Sequence, residues 1–102
     1  MAKKGYWIAH VNITNPERYK DYVAANAAPL KKYGARFLVR GGEFECVEGG
    51  SRARNVVLEF PSYQAALDCW NSPEYKEALA LRAPVSTADI VIIEGYDGPQ
   101  PG

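Results

Sequence analysis

The order in which strand-period and helix-period patterns follow one another along the chain constrains its fold more than any other feature. Tyr6 to Ile13 is rich in aromatic and β-branched residues and reads as a strand. Asn15-Pro16-Glu17 then supplies a helix start: a side-chain acceptor at the N-cap, a proline in the first turn and an acid near the positive end of the helix dipole. Beyond it, Tyr19, Tyr22, Val23, Asn26, Leu30 and Tyr33 recur at three- and four-residue steps and give the helix one apolar face. Pro29 should kink this helix or end its regular part, and Gly34 is a good terminator. Arg36 to Arg40 reads as a second strand. Gly41-Gly42 interrupts it with a bulge or bend, and Glu43 to Glu48 resumes strand-like alternation. Gly49-Gly50-Ser51 is a turn signal and Asn55 to Phe60 a third strand, so the segment reads as a long hairpin. Ser62 caps a helix whose Tyr63, Ala66, Leu67 and Trp70 form a compact stripe. Ser72-Pro73-Glu74 restarts the helix, with Tyr75, Ala78, Leu79 and Arg82 on one face, and Pro84 ends it. Asp89 to Tyr96 is the last strand, with Ile90-Val91-Ile92-Ile93 as its apolar centre.

Strand, helix, strand, strand, helix, strand is the ferredoxin-like βαββαβ order, an α+β antiparallel sheet with helices on one face. The 102 residues make one domain, with a core from about residue 5 to 96 and a flexible tail over 97–102 that offers no core-forming side chain.

Side chains alternate along a strand, so parity sorts them into two faces. One face collects Trp7, Ala9, Val11, Ile13, Phe37, Val39, Val56, Leu58, Phe60, Val91 and Ile93. It is wholly apolar and belongs under the helices. The opposite face collects Tyr6, Ile8, His10 and Asn12, then Arg36, Leu38 and Arg40, then Asn55, Val57 and Glu59, and finally Ile90, Ile92, Glu94 and Tyr96. It mixes large apolar groups with charges. A two-layer domain alone would leave that apolar surface in water, and the remedy is a second copy packed sheet to sheet in a two-fold homodimer.

Composition narrows the function classes. Twelve basic and 12 acidic side chains cancel, which argues against a nucleic-acid partner or a polybasic membrane binder. No apolar run approaches the ~18 residues of a membrane span, and the chain start lacks a signal-peptide core, so the expected location is the cytoplasm. Cys46 and Cys69 form no CxxC pair and no paired histidines accompany them, so no zinc, redox or other cofactor motif is present.

The candidate site residues are few. The hairpin register places Arg40 close to Glu59, where the two could pair in a partly dry site, either as a structural ion pair or facing a ligand. His10 is the single histidine, so any imidazole acid–base or haem-ligand role falls on it. Tyr19, Tyr22, Tyr33 and Trp70 read as helix–sheet packing. Tyr75 and Arg82 share a helix face, and Arg82 suits the negative end of that helix dipole. Glu59 and Glu94 have no histidine to complete a metal site.

At several of these segments the chain resembles the domain of unknown function 1330 family. They are Gly5-Tyr6, Pro16-Glu17-Arg18-Tyr19-Lys20-Asp21-Tyr22, Tyr33-Gly34-Ala35-Arg36-Phe37-Leu38-Val39-Arg40-Gly41-Gly42, Glu59-Phe60-Pro61-Ser62, Trp70-Asn71-Ser72-Pro73-Glu74-Tyr75 and Glu94-Gly95. Ala35 stands where a second glycine is common in that pattern. The resemblance implies a dimeric α/β barrel, in a superfamily that includes cofactor-independent monooxygenases, lactone isomerases, haem-binding proteins and stress-induced barrels. It carries fold, while the family itself has no settled activity. Arg40, Glu59, Ser72, Tyr75 and Arg82 are the matched positions that could face a pocket. Two functions are expected on these grounds. One is a metal-free enzyme of a small organic acid or aromatic metabolite, with Arg40 as anion anchor, Glu59 as base, Tyr75 positioning the substrate, and Ser72, Arg82 and His10 as further ligand contacts. The other is a non-catalytic, ligand-binding or stress-type dimeric module.

Overall fold

In a computed structural model that describes residues 3–102, an antiparallel sheet in the order β2-β3-β1-β4 carries its helices on one face. The elements are β1 (Gly5–Ile13), α1 (Pro16–Lys32), β2 (Arg36–Arg40), β3 (Arg54–Phe60), α2 (Tyr63–Asn71), α3 (Pro73–Arg82), a 3-10 turn (Ala83–Val85) and β4 (Ser86–Glu94). This is the ferredoxin-like α+β architecture that the element order implied. Among the described residues no helix is long and apolar enough to cross a membrane.

The helix boundaries follow from local chemistry. The Asn15 Oδ1 accepts from the Arg18 amide at 3.2 Å, the Ser62 Oγ from Ala65 at 3.0 Å and the Ser72 Oγ from Tyr75 at 3.1 Å. Each satisfies an amide that the first helical turn leaves without an intrahelical partner. Gly34 ends α1 with φ at +76°, and the Ala35 amide turns back to the Leu30 carbonyl at 2.9 Å. Pro29 does not end the regular part of α1, which runs on to Lys32. It lies in the last turn and removes one donor there, while its carbonyl still accepts from the Tyr33 amide at 3.1 Å.

Three expectations about the strands are corrected. The alternation over Glu43–Glu48 forms no strand: it has no partner strand beside it, and Phe44 and Val47 are exposed. β4 begins at Ser86, because its register with β1 extends to Ile13↔Ser86, and Tyr96 falls beyond its end. The faces of β4 are inverted. Cross-strand partners share a face, and Trp7 pairs with Ile92, Ala9 with Ile90 and Ile8 with Val91. Ile90 and Ile92 therefore lie under the helices, whereas Val91 and Ile93 are 56% and 47% exposed on the open face.

The core sits between layers and is aromatic. Trp7 meets Tyr75 at 4.9 Å and Phe60 at 5.0 Å between ring centroids, and its Nε1 donates to the Ala66 carbonyl at 2.9 Å. Tilted and edge-on pairs of this kind each add about 0.5–1.5 kcal/mol beyond area burial. They fix α2 and α3 against the central strands, and so fix where α3 delivers its last residue, Arg82.

Candidate functional site

The bulge in β2 decides what faces the space between the layers. Arg36 pairs with Glu59 and Phe37 with Leu58, but the register slips between Phe37 and Val39, so that Val39 opposes Val57 and Arg40 opposes Val56. Val39 is thereby moved to the open face and Arg40 to the helix side. The expected Arg40–Glu59 neighbourhood is not formed; Glu59 pairs with Arg36 instead.

On the helix side, Arg40 from the end of β2, Arg54 from the start of β3 and Arg82 from the end of α3 converge on one cavity. Tyr19, Tyr22 and Asn26 from α1 and Tyr75 from α3 add polar groups to its lining, and among the described residues no aspartate, glutamate or histidine borders it. Arg82 is 6% exposed. Its Nη1 donates to the Ser86 Oγ at 3.5 Å and its guanidinium carbon lies 5.5 Å from the Tyr22 ring centroid. The Nε groups of Arg82 and Arg54 are buried without a hydrogen-bond partner. Among the described residues, the ion pairs are Lys3–Glu94, Lys20–Glu17, Lys32–Glu74, Arg36–Glu59 and Arg52–Asp89, and none involves the three cavity arginines. Gly41 makes room for Arg54: at φ +65°, a Cβ there would run into the Arg54 guanidinium.

Two of the cavity tyrosines, Tyr19 and Tyr75, are held protonated. Burial raises the Tyr75 pKa far above its ordinary value, Tyr22 adds to this, and Arg82 opposes it. Burial likewise raises Tyr19, with Tyr22 assisting and Arg54 and Arg82 opposing. The Tyr22 and Tyr75 hydroxyls are hydrogen-bonded to each other at 2.9 Å. Neutral hydroxyls beside uncompensated guanidiniums are chemically suited to hold an anion.

The open face has a separate polar group. The Tyr6 hydroxyl donates to the Glu59 Oε2 at 3.0 Å and the Arg36 Nε to the Oε1 at 3.0 Å. The Tyr6 hydrogen bond is the main reason the Glu59 pKa is lowered; burial opposes it and Arg36 reinforces it. The same bond is the main reason that Tyr6 is raised. His10, further along this face, lies with its Nδ1 2.6 Å from the Asn55 Oδ1, and Arg52 nearby donates to Asp89 and Thr87 at 2.8 Å each.

Of the six residues singled out in the sequence, the fold brings Arg40, Tyr75 and Arg82 together and puts Glu59 and His10 on the other side of the sheet. Ser72 is apart from both: its hydroxyl donates to the Cys69 carbonyl at 2.7 Å and caps α3. Arg54 was missed. One more residue at the start of the third strand would have placed it in phase with Val56, Leu58 and Phe60, an arginine on the core-facing side. Among the described residues, no group of three His, Cys, Asp or Glu side chains could hold a metal ion.

The family model for a domain of unknown function (DUF1330) matches residues 4–96. No curated protein matches the chain. Solved structures with the same fold include a protein of unknown function from Rhodopseudomonas palustris, with a TM-score of 0.75 at 14% identity over 96% of this chain and 86% of that one. SnoaB, a cofactor-independent oxygenase from Streptomyces nogalater, has a TM-score of 0.64 at 12% identity, covering 99% of this chain and all of its own. A dimeric ferredoxin-like protein of unknown function from Thermobifida fusca has a TM-score of 0.57 at 16% identity, with 92% of each chain covered. At these identities the likeness is one of fold.

Proposed function

The chain belongs to the DUF1330 family, and from that footing we propose that it binds a small organic anion between its helices and sheet, with Arg40, Arg54 and Arg82 as the cationic wall and Tyr19, Tyr22 and Tyr75 as hydrogen-bonding groups. One observation carries this reading. Arg54 and Arg82 line a cavity that no carboxylate borders, neither is in an ion pair among the described residues, and each keeps a buried Nε without a hydrogen-bond partner. A buried charge is ordinarily paired, and an anion in the cavity would supply the counter-charge that the fold does not.

The assembly we propose is a homodimer joined through the open face. Supporting it are Val91 and Ile93, exposed beside the half-buried Ile8 and Val57, and the dimeric state of the Thermobifida fusca relative. Glu59 then serves the sheet face, held by Tyr6 and Arg36, and does not act as a base in the arginine cavity of its own subunit.

A second reading, catalysis on the bound anion, is favoured by the same charges. Guanidiniums fixed around a cavity between helices and sheet stabilise negative charge that develops on a substrate. SnoaB shows that this fold can host an oxygenase without a cofactor.

The test is a thermal-shift screen of organic anions in low-salt buffer, on the wild type and on Arg82→Met. An anion at a hundred times its Kd adds about 2.7 kcal/mol to the stability of the wild type. The expected result is a raised Tm in the wild type and none in the variant. Equal stabilisation of both, or of neither, would refute the proposal.

A further inference from the structure

The arginine cavity is too small for a metabolite. Its volume is about 40 Å³, and one water needs roughly 10–15 Å³ measured in this way, so the cavity accepts a headgroup and little more. Immediately outside it, between α1 and β2, runs a groove of about 370 Å³. That volume lies in the range of roughly 300–1,000 Å³ that small-molecule sites occupy. Cavity and groove share Val23, Asn26, Phe37 and Arg40 as walls. The rest of the groove includes Ala27, Leu30 and Ala35, which are apolar, and the exposed Lys31.

At the junction the Arg40 guanidinium lies 4.0 Å from the centroid of the Phe37 ring, and both side chains are exposed. The stack gives the groove a flat cationic and aromatic wall where it meets the cavity. Charge and polarity are thus graded along one line. The Arg54 and Arg82 guanidiniums and the tyrosine hydroxyls lie inside, the Arg40–Phe37 stack lies at the neck, and aliphatic surface lies outside.

We infer that the ligand is a carboxylate carried on a ring-sized apolar body. The carboxylate enters the arginine cavity, and the body lies in the α1–β2 groove against Phe37. This rests on the anion-binding reading above and names the ligand class for that site. Arg40 is the residue that reaches both halves. It would bond the carboxylate from the neck while Arg54 and Arg82 bond it from within. A small inorganic anion would satisfy the arginines and leave the apolar groove to water, and a neutral aromatic amide would fill the groove and leave the arginines uncompensated.

The experiment titrates acetate, benzoate, naphthoate and neutral naphthamide into the wild-type protein by calorimetry, and repeats the series on Ala27→Phe and Arg82→Met. Ala27 is exposed on α1 and borders the groove but not the cavity, so a phenyl group there fills the groove without entering the arginine cavity. The wild type should bind naphthoate about tenfold or more tighter than acetate, the factor for burying on the order of 60 Å² of apolar ring surface. Ala27→Phe should erase that difference, and Arg82→Met should abolish the binding of both acids. A wild type that binds naphthoate no tighter than acetate overturns the inference, as does an Ala27→Phe variant that keeps the preference. Either outcome leaves the anion-binding reading standing. Naphthamide bound as tightly as naphthoate, or no binding of any carboxylate, overturns that reading as well.

Discussion

Replacing Arg82 by methionine should leave the free protein about as stable as the wild type, and that outcome separates a binding arginine from a structural one. The ledger comes from the side chain's surroundings. A buried donor without a partner costs about 1–3 kcal/mol. Methionine removes that cost and keeps most of the buried stem. Against this, the substitution loses the contact with the Tyr22 ring at 5.5 Å, about 0.5–1 kcal/mol, and a cation in the last turn of α3, about 0.3–1 kcal/mol. The 3.5 Å hydrogen bond to Ser86 adds little. The two sides nearly cancel, and the expected change is within about 1 kcal/mol of zero. An arginine buried in an ion pair would instead cost about 3–5 kcal/mol on removal. Urea unfolding in a buffer of low ionic strength, with slopes compared to confirm two-state behaviour, reads the difference directly. Repeating it with the anion from the thermal screen should make the wild type clearly the more stable, because it alone gains binding energy. A loss of 3 kcal/mol or more without ligand would show that the guanidinium is already satisfied within the fold and that the anion argument is wrong.

Three further outcomes follow from the same geometry. In sedimentation at micromolar concentration the wild type should run at twice 11.3 kDa and Val91→Arg as a monomer, since Val91 is 56% exposed on the open face and a charge there would be buried in the dimer; a monomeric wild type would sink the sheet-to-sheet assembly. A thiol reagent at pH 8 should label the exposed Cys46 rapidly and Cys69 only on unfolding, because burial pushes the Cys69 thiol up to about 12 and leaves roughly one part in ten thousand as thiolate. Glu59 has a lowered pKa in the folded state, so its contribution to stability is present well above its ordinary value of 4.5 and is lost as pH falls through the lowered one; Glu59→Gln should flatten the acid limb of the urea midpoint against pH, and parallel curves for the two proteins would contradict the Tyr6–Glu59–Arg36 geometry.

Element order was legible because each boundary carried its own chemistry. Asn15, Ser62 and Ser72 cap where their side chains predict, and Gly34 terminates where a left-handed residue is needed. Parity was legible wherever apolar and polar residues alternate, as along β1 and β3. It failed on β4, because Ile90-Val91-Ile92-Ile93 is apolar at every position and cannot say which pair points inward. The tie was broken by Trp7, which pairs with Ile92 and anchors the helix face. The acidic stretch 43–48 failed for a different reason. A strand needs a partner edge, and alternation in one segment does not supply one.

The site was half legible, and the half that was hidden turned on single residues. A bulge at Leu38 flips everything after it in β2, which carries Arg40 away from Glu59 and into the company of Arg54 and Arg82. Neither glycine of the Gly41-Gly42 pair marks its position, because the slip lies between Phe37 and Val39. The sequence nevertheless held a signal that parity alone could use. Arg54 is in phase with Val56, Leu58 and Phe60, and Arg82 with Tyr75 and Ala78, so two of the chain's cations stand on stripes that are otherwise built to face the core. Such a residue is unfavourable there unless something negative meets it. In the folded chain no aspartate or glutamate lines the cavity to do so. That unpaired charge, more than the paired Arg36 and Glu59, is the feature that an anionic ligand would answer.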